Sequence, residues 1–78
     1  MKYVATFYTH VSAMISHRSL TANGISAKLA PTPRQLSSSC GTCVRYEAED
    51  PSFPLLDSDV EQVAEQTDDG YRVLKQFS

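Results

Sequence analysis

Along residues 2–8, KYVATFY, apolar and β-branched side chains follow a rough two-residue alternation, the pattern of a β-strand. Tyr3, Ala5 and Phe7 fall on one side of such a strand, and Val4, Thr6 and Tyr8 on the other. The period then lengthens. HVSAMISHRSLTA reads as a helix capped by Thr9 and closed at Asn23-Gly24, a pair suited to a left-handed C-cap. Its apolar face is ambiguous: Val11, Ile15 and Ala22 make one stripe, and Ala13, Met14 and Leu20 another. Either would dock on a sheet. Ile25, Ala27 and Leu29 alternate with Ser26 and Lys28 as a short second strand. Pro31 and Pro33 end its ladder, because neither has an N–H to donate. Further on, CVRYE resumes an extended pattern, expected antiparallel to the second strand.

EAEDPSFPL is a polar, proline-marked connection, and LDSDVEQVAEQTD after it reads as a second helix. Ser58 with Glu61 three residues on fits a capping box, and Asp57 and Asp59 suit the positive end of the dipole. Val60, Val63, Ala64 and Thr67 would form its inner face, Gly70 would close it, and YRVLKQF makes a last strand. The order β-α-β-β-α-β predicts an α+β, ferredoxin-like fold. In it, two helices pack on one face of a four-stranded antiparallel sheet, and residues 1–78 form a single domain.

The chain's 78 residues suit one core, and a domain this small buries only about 60% of the surface of its unfolded chain. A deep pocket is not expected. Net charge is −2 with no basic cluster, which argues against a nucleic-acid surface. The aromatics Tyr3, Phe7, Tyr8, Tyr46, Phe53, Tyr71 and Phe77 do not interleave with basic residues as an RNA-stacking sheet requires. MKYVATFYTHV has no long apolar run or small-residue cleavage site, and no stretch approaches the roughly 20 apolar residues of a membrane span. The expectation is a cytosolic protein with two free thiols in reducing surroundings.

One segment stands apart. Within PTPRQLSSSCGTC, residues 31–43, the segment from Pro33 to Gly41 joins the second and third strands with more chain than such a connection needs. A cysteine becomes nucleophilic as the thiolate, favoured near a cation, a helix N-terminus or oriented N–H donors. Ser37, Ser38 and Ser39 can turn the chain and hydrogen-bond a neighbouring anion, and Gly41 permits positive φ and close approach by another molecule. Arg34, six residues before Cys40, could fold back to supply a cation. These residues would suit a thiolate or a more acidic persulfide or perselenide. They would equally suit a polar loop around an inert, half-buried cysteine.

The run from Pro33 to Gly41, PRQLSSSCG, resembles the hallmark of a family of short bacterial proteins. These are described as a domain of unknown function or as selenium/sulfur carrier-like proteins. The opening strand near Thr6-Phe7 and the helix closing on Gly24-Ile25 are similar too, so the resemblance covers essentially the whole chain. It implies a carrier in selenium or sulfur metabolism whose Cys40 receives sulfur or selenium and hands it on. The carry-over reaches Pro33, Arg34, Ser37, Ser38, Ser39, Cys40 and Gly41. The partners it implies are proteins: a donor such as a cysteine desulfurase, and an acceptor enzyme. No organic cofactor is implied, and any reaction is transfer between proteins rather than metabolite turnover.

Cys43 departs from that pattern and makes a C-x-x-C spacing with Cys40. Three readings stand. Cys43 could pack as a small hydrophobe, the reading preferred here. It could resolve a persulfide or close a disulfide onto Cys40, although C-x-x-C redox sites usually sit at a helix N-terminus in a βαβ setting. Or both thiols could bind metal with His10 and His17, although ferredoxin-like metal chaperones place C-x-x-C after the first strand. No Ser-His-Asp or Cys-His-Asp spacing is legible. The rival to the carrier is a non-catalytic interaction domain whose cysteine never reacts. An exposed edge strand in so small a sheet could also pair with a second copy as a homodimer.

Overall fold

In the computed structural model, which describes residues 1–77, Lys2–Phe7 forms β1, and every residue in it after Lys2 is buried. A strand buried on both faces needs a partner on each edge, because unpaired backbone groups shielded from water are costly. β1 has both. β3 (Thr42–Glu47) pairs antiparallel on one edge and β4 (Val60–Thr67) antiparallel on the other. β2 (Ser26–Pro31) and β5 (Gly70–Gln76) pair outside these, completing a five-stranded antiparallel sheet in the order β2-β3-β1-β4-β5.

α1 (His10–Ala22) crosses one face of the sheet. Its bounds are those the sequence predicts: Thr9 Oγ1 accepts the Ser12 N–H at 3.1 Å, and Gly24 at φ 79° follows the C-cap. Its packing face is not. The buried residues are Ser12, Ala13, Ser16 and Leu20, so two hydroxyls face inward and the apolar Val11, Met14 and Ile15 face outward. The serines are accommodated because one residue satisfies both. Ser12 Oγ–H donates to Asp57 Oδ2 at 2.7 Å, and the Asp57 N–H donates to Ser16 Oγ at 2.8 Å.

The ferredoxin-like expectation fails at the second helix. Residues 56–68 contain no helix. After a short 3-10 turn at Phe53–Leu55, the chain enters β4, which hairpins through Asp68-Asp69 into β5. The fold is therefore one helix on a five-stranded sheet. The helical spacing of Val60, Val63 and Ala64 has a strand explanation. A β-bulge shifts the register so that Thr6 faces Gln62 while Phe7 faces Val60. Glu61 is the extra residue, and the shift keeps Val60 and Val63 in the same core beneath α1. A regular strand would place residues three apart on opposite faces. Local cap signals yield here to the need of β1 for a second edge partner. The last strand is borne out, but Gly70 opens β5 rather than ending a helix.

Two cores result. Under α1 lie Tyr3, Ala5, Phe7, Ala13, Leu20, Val44, Tyr46, Val60 and Val63. On the other face Val4, Cys43 and Ala64 are covered by Leu36 from the β2–β3 connection, with Ala30 and Tyr71 at the margin. Beside that cover, Arg45 Nη2 donates to the Tyr71 hydroxyl at 3.0 Å. Among the described residues, no helix is long and apolar enough to cross a membrane.

Asp57→Ala leaves the Ser12 hydroxyl without its acceptor and should cost about 1–3 kcal/mol. Asp57→Asn, which keeps an acceptor oxygen, should cost less. Urea unfolding measures both, and equal losses would show that Ser12 does not depend on that oxygen.

Candidate functional site

The β2–β3 connection starts where β1 ends and β4 begins, and it folds over that end of the sheet. Its base is closed by the Thr32 N–H donating to the Gly41 carbonyl at 3.0 Å, and a turn follows in which the Leu36 N–H donates to the Pro33 carbonyl at 3.0 Å. Leu36, at 6% exposed, is the segment's apolar anchor. Beyond it the three serines reach the strands one after another. The Ser37 carbonyl accepts Gln62 Nε2–H at 3.0 Å, and Ser38 Oγ–H donates to the Phe7 carbonyl at 3.2 Å. The Ser39 N–H and Oγ–H each donate to one oxygen of the Glu61 carboxylate at 3.1 Å. A serine run that would weaken a core strand is therefore a set of short anchors on β1 and β4.

These anchors deliver Cys40 to the helix side of the sheet end. It is half-buried, unpaired, and packed against the core beneath α1. Its S–H donates to the Thr42 carbonyl at 3.5 Å, and Ser38 Oγ lies 3.9 Å from Sγ. Thr42 Oγ1 in turn shares a hydrogen bond of 3.2 Å with His10 Nδ1, so the start of α1 borders the thiol. Gly41 sits at φ 73° with no atom within 4 Å of where a Cβ would project. Its need is conformational: an L side chain would be strained there, while the space beside it stays open.

Of the residues picked out by sequence, Ser38 and Gly41 lie with Cys40. Ser37 and Ser39 direct their polar groups to β4. Arg34 is exposed at the turn and forms no hydrogen bond or ion pair with Cys40. Cys43 is fully buried in the opposite core under Leu36, with its S–H donating to the Pro31 carbonyl at 3.5 Å. Burial pushes the Cys43 thiol above its ordinary range, and the Arg45 guanidinium offsets this in part. His17 Nε2–H donates to the Ala27 carbonyl at 3.1 Å. Among the described residues, no group of three or more His, Cys, Asp or Glu side chains is placed to hold a metal ion.

Sequence reasoning missed Glu61, Gln62 and Thr42. The signal for the first two was Asp69-Gly70 between two β-prone runs, a hairpin cue. It would have made residues 60–67 a strand whose beginning lies beside the end of β1.

These observations define a class: a small antiparallel α+β domain that holds one half-buried cysteine on a loop braced by three side-chain anchors. The chain belongs to the family described as "Putative Se/S carrier protein-like", whose model matches residues 2–53, two thirds of the sequence. That stretch includes Cys40 and its loop but not the β4 residues that brace it. The comparisons with curated proteins and with solved structures returned no match.

Iodoacetamide should add one group to the folded protein, at Cys40, with Cys43 modified only after denaturation. Intact mass and peptide mapping read this, and native labelling of Cys43 would contradict its burial. Glu61→Ala removes the acceptor of both Ser39 donors and should speed amide exchange at Ser39 and Cys40 with little effect in β3. The raised Cys43 pKa also carries a pH dependence. Its stabilisation is complete below the unfolded thiol value, about 8.5, and is lost as pH rises through the folded value. Stability should therefore fall less steeply above that pH in Cys43→Ala than in wild type.

Proposed function

We propose that this domain carries sulfur or selenium as a persulfide or perselenide on Cys40, passing it from a donor enzyme to an acceptor protein. The observation that carries this reading is the contrast between two thiols three residues apart. Cys43 is sealed in a core and held neutral, whereas Cys40 is within reach of solvent on an anchored loop inside the family-matched stretch. In the loading step, the Cys40 thiolate attacks the outer sulfur of a donor persulfide. The sulfur–sulfur bond of the donor breaks, its thiolate leaves with the bonding pair, and Cys40 becomes the persulfide. The outer sulfur moves without net oxidation or reduction. Delivery is the same exchange with Cys40 as the leaving group.

The surroundings fit that exchange in part. Gly41 leaves an open approach, and the Ser38 hydroxyl stands near the sulfur. Ser37 and Ser39 act indirectly, by holding the loop. Arg34 has no contact with the thiol at rest, so its role would be toward a docked partner.

Incubation with a cysteine desulfurase and cysteine should raise the intact mass by one sulfur. Cys40→Ser should abolish the gain and Cys43→Ser should retain it. A gain that persists in Cys40→Ser, or none in wild type, rejects the carrier assignment in favour of an interaction domain.

A further inference from the structure

The helix packs inside out, and that requires a reason. Val11, Met14 and Ile15 are 63%, 48% and 49% exposed, although Ser12 and Ser16 are buried beside them. With Arg18 they occupy positions i, i+3, i+4 and i+7, a single stripe along α1. Leu29 of β2, 40% exposed, faces this stripe, and together with His17 these residues line a groove of about 370 Å³. The head of the groove lies next to the thiol: Val11 follows His10, which reaches Thr42, whose carbonyl accepts the Cys40 S–H.

Charge narrows what can cover it. None of the nine acidic residues precedes Glu47, while Lys2, Arg18, Lys28, Arg34 and Arg45 all do. Neither α1 nor β2 therefore carries a carboxylate, and Arg18 is the cation that lines the groove, Lys28 lying with Arg45 on the other face of the sheet. A two-fold dimer through this face would set the same patch against itself, with Arg18 of both copies at the seam and no carboxylate of α1 or β2 to meet it. A head-to-tail contact with the acidic half of another copy would be heterologous and build a ring or an open chain of copies rather than a pair. Strand addition to β2 is hindered, because the His17 ring occupies the Ala27 carbonyl on that strand. What remains is an apolar segment with its own backbone satisfied and with carboxylates at its flanks.

We infer that the groove between α1 and β2 docks an acidic amphipathic helix of a partner protein. An apolar helix face would lie along Val11, Met14, Ile15 and Leu29, and a flanking carboxylate would meet Arg18. That this brings the partner alongside Cys40 for transfer rests on the carrier reading; the docking itself does not.

The test uses the full chain as Cys40→Ser, so that no thiol exchange contributes. The probe is a labelled synthetic helix with Leu at i, i+3, i+4 and i+7 and Glu on its flanks, alongside a counterpart with Lys in place of Glu. The Glu peptide should bind more tightly than the Lys peptide, less so at high salt, and shift the amide signals of Val11, Met14, Ile15 and Leu29. Ile15→Ser should weaken binding roughly tenfold. Met14→Ser serves as a second variant if Ile15→Ser alters the native spectrum, and Arg18→Glu should reverse the peptide preference. Absence of binding, equal binding of the two peptides, or shifts confined to other faces would overturn the proposal. So would a dimer of the protein alone that Ile15→Arg dissociates, since a second copy would then cover the groove. Failure here leaves sulfur loading at Cys40 untouched, and failed loading leaves the peptide result untouched.

Discussion

The pairing of β4 with β1 is the constraint on which the rest of the molecule depends. β1 is buried on both faces, so its second edge must be hydrogen-bonded by protein rather than by water. Once β4 fills that edge, Val60 and Val63 complete the core beneath α1, and Ala64 completes the opposite one. The bulge in this pairing also turns Glu61 and Gln62 toward the β2–β3 connection. Bulges commonly re-aim a side chain beside a functional segment. Here the re-aimed carboxylate holds the residue immediately before the candidate reactive cysteine.

Two neighbouring cysteines thereby acquire different chemistry from opposite placements. A strand alternates its side chains, and β3 sends Cys43 to the face covered by Leu36 while Val44 goes beneath the helix. Cys40 precedes the strand, in a loop whose direction is set by serine anchors, and it emerges on the helix side. The C-x-x-C spacing alone does not convey this. Whether two such thiols act together depends on which face each reaches, and here the faces differ.

The α1 surface shows how polar and apolar groups can exchange their usual places. Asp57 makes buried serines tolerable by accepting from one and donating to the other. The inner face holds Ser12, Ala13 and Ser16 beside Leu20, and the apolar Val11, Met14 and Ile15 are left for the outside. Arg18 gives this apolar surface a positive charge, while the acidic residues collect in the second half of the chain.

The first half of the fold was legible residue by residue. The strand from Lys2, the helix from His10 to Ala22 with its Thr9 cap, and the β2–β3 pairing all follow from local period, caps and prolines. Cys40 and Gly41 also stood out by residue type within an over-long connection. The second half was not legible, because Val60, Val63 and Ala64 have a spacing that suits either a helix or a bulged strand, and a capping box favours the helix. Only the unfilled edge of β1, a contact between segments more than fifty residues apart in sequence, decides for the strand. The same long-range pairing decides that Glu61 holds Ser39, that the serines anchor rather than ring the sulfur, and that Cys43 is sealed away. Local chemistry sets what each residue can do; which partner it meets is settled by the sheet, where distant residues are brought within bonding distance.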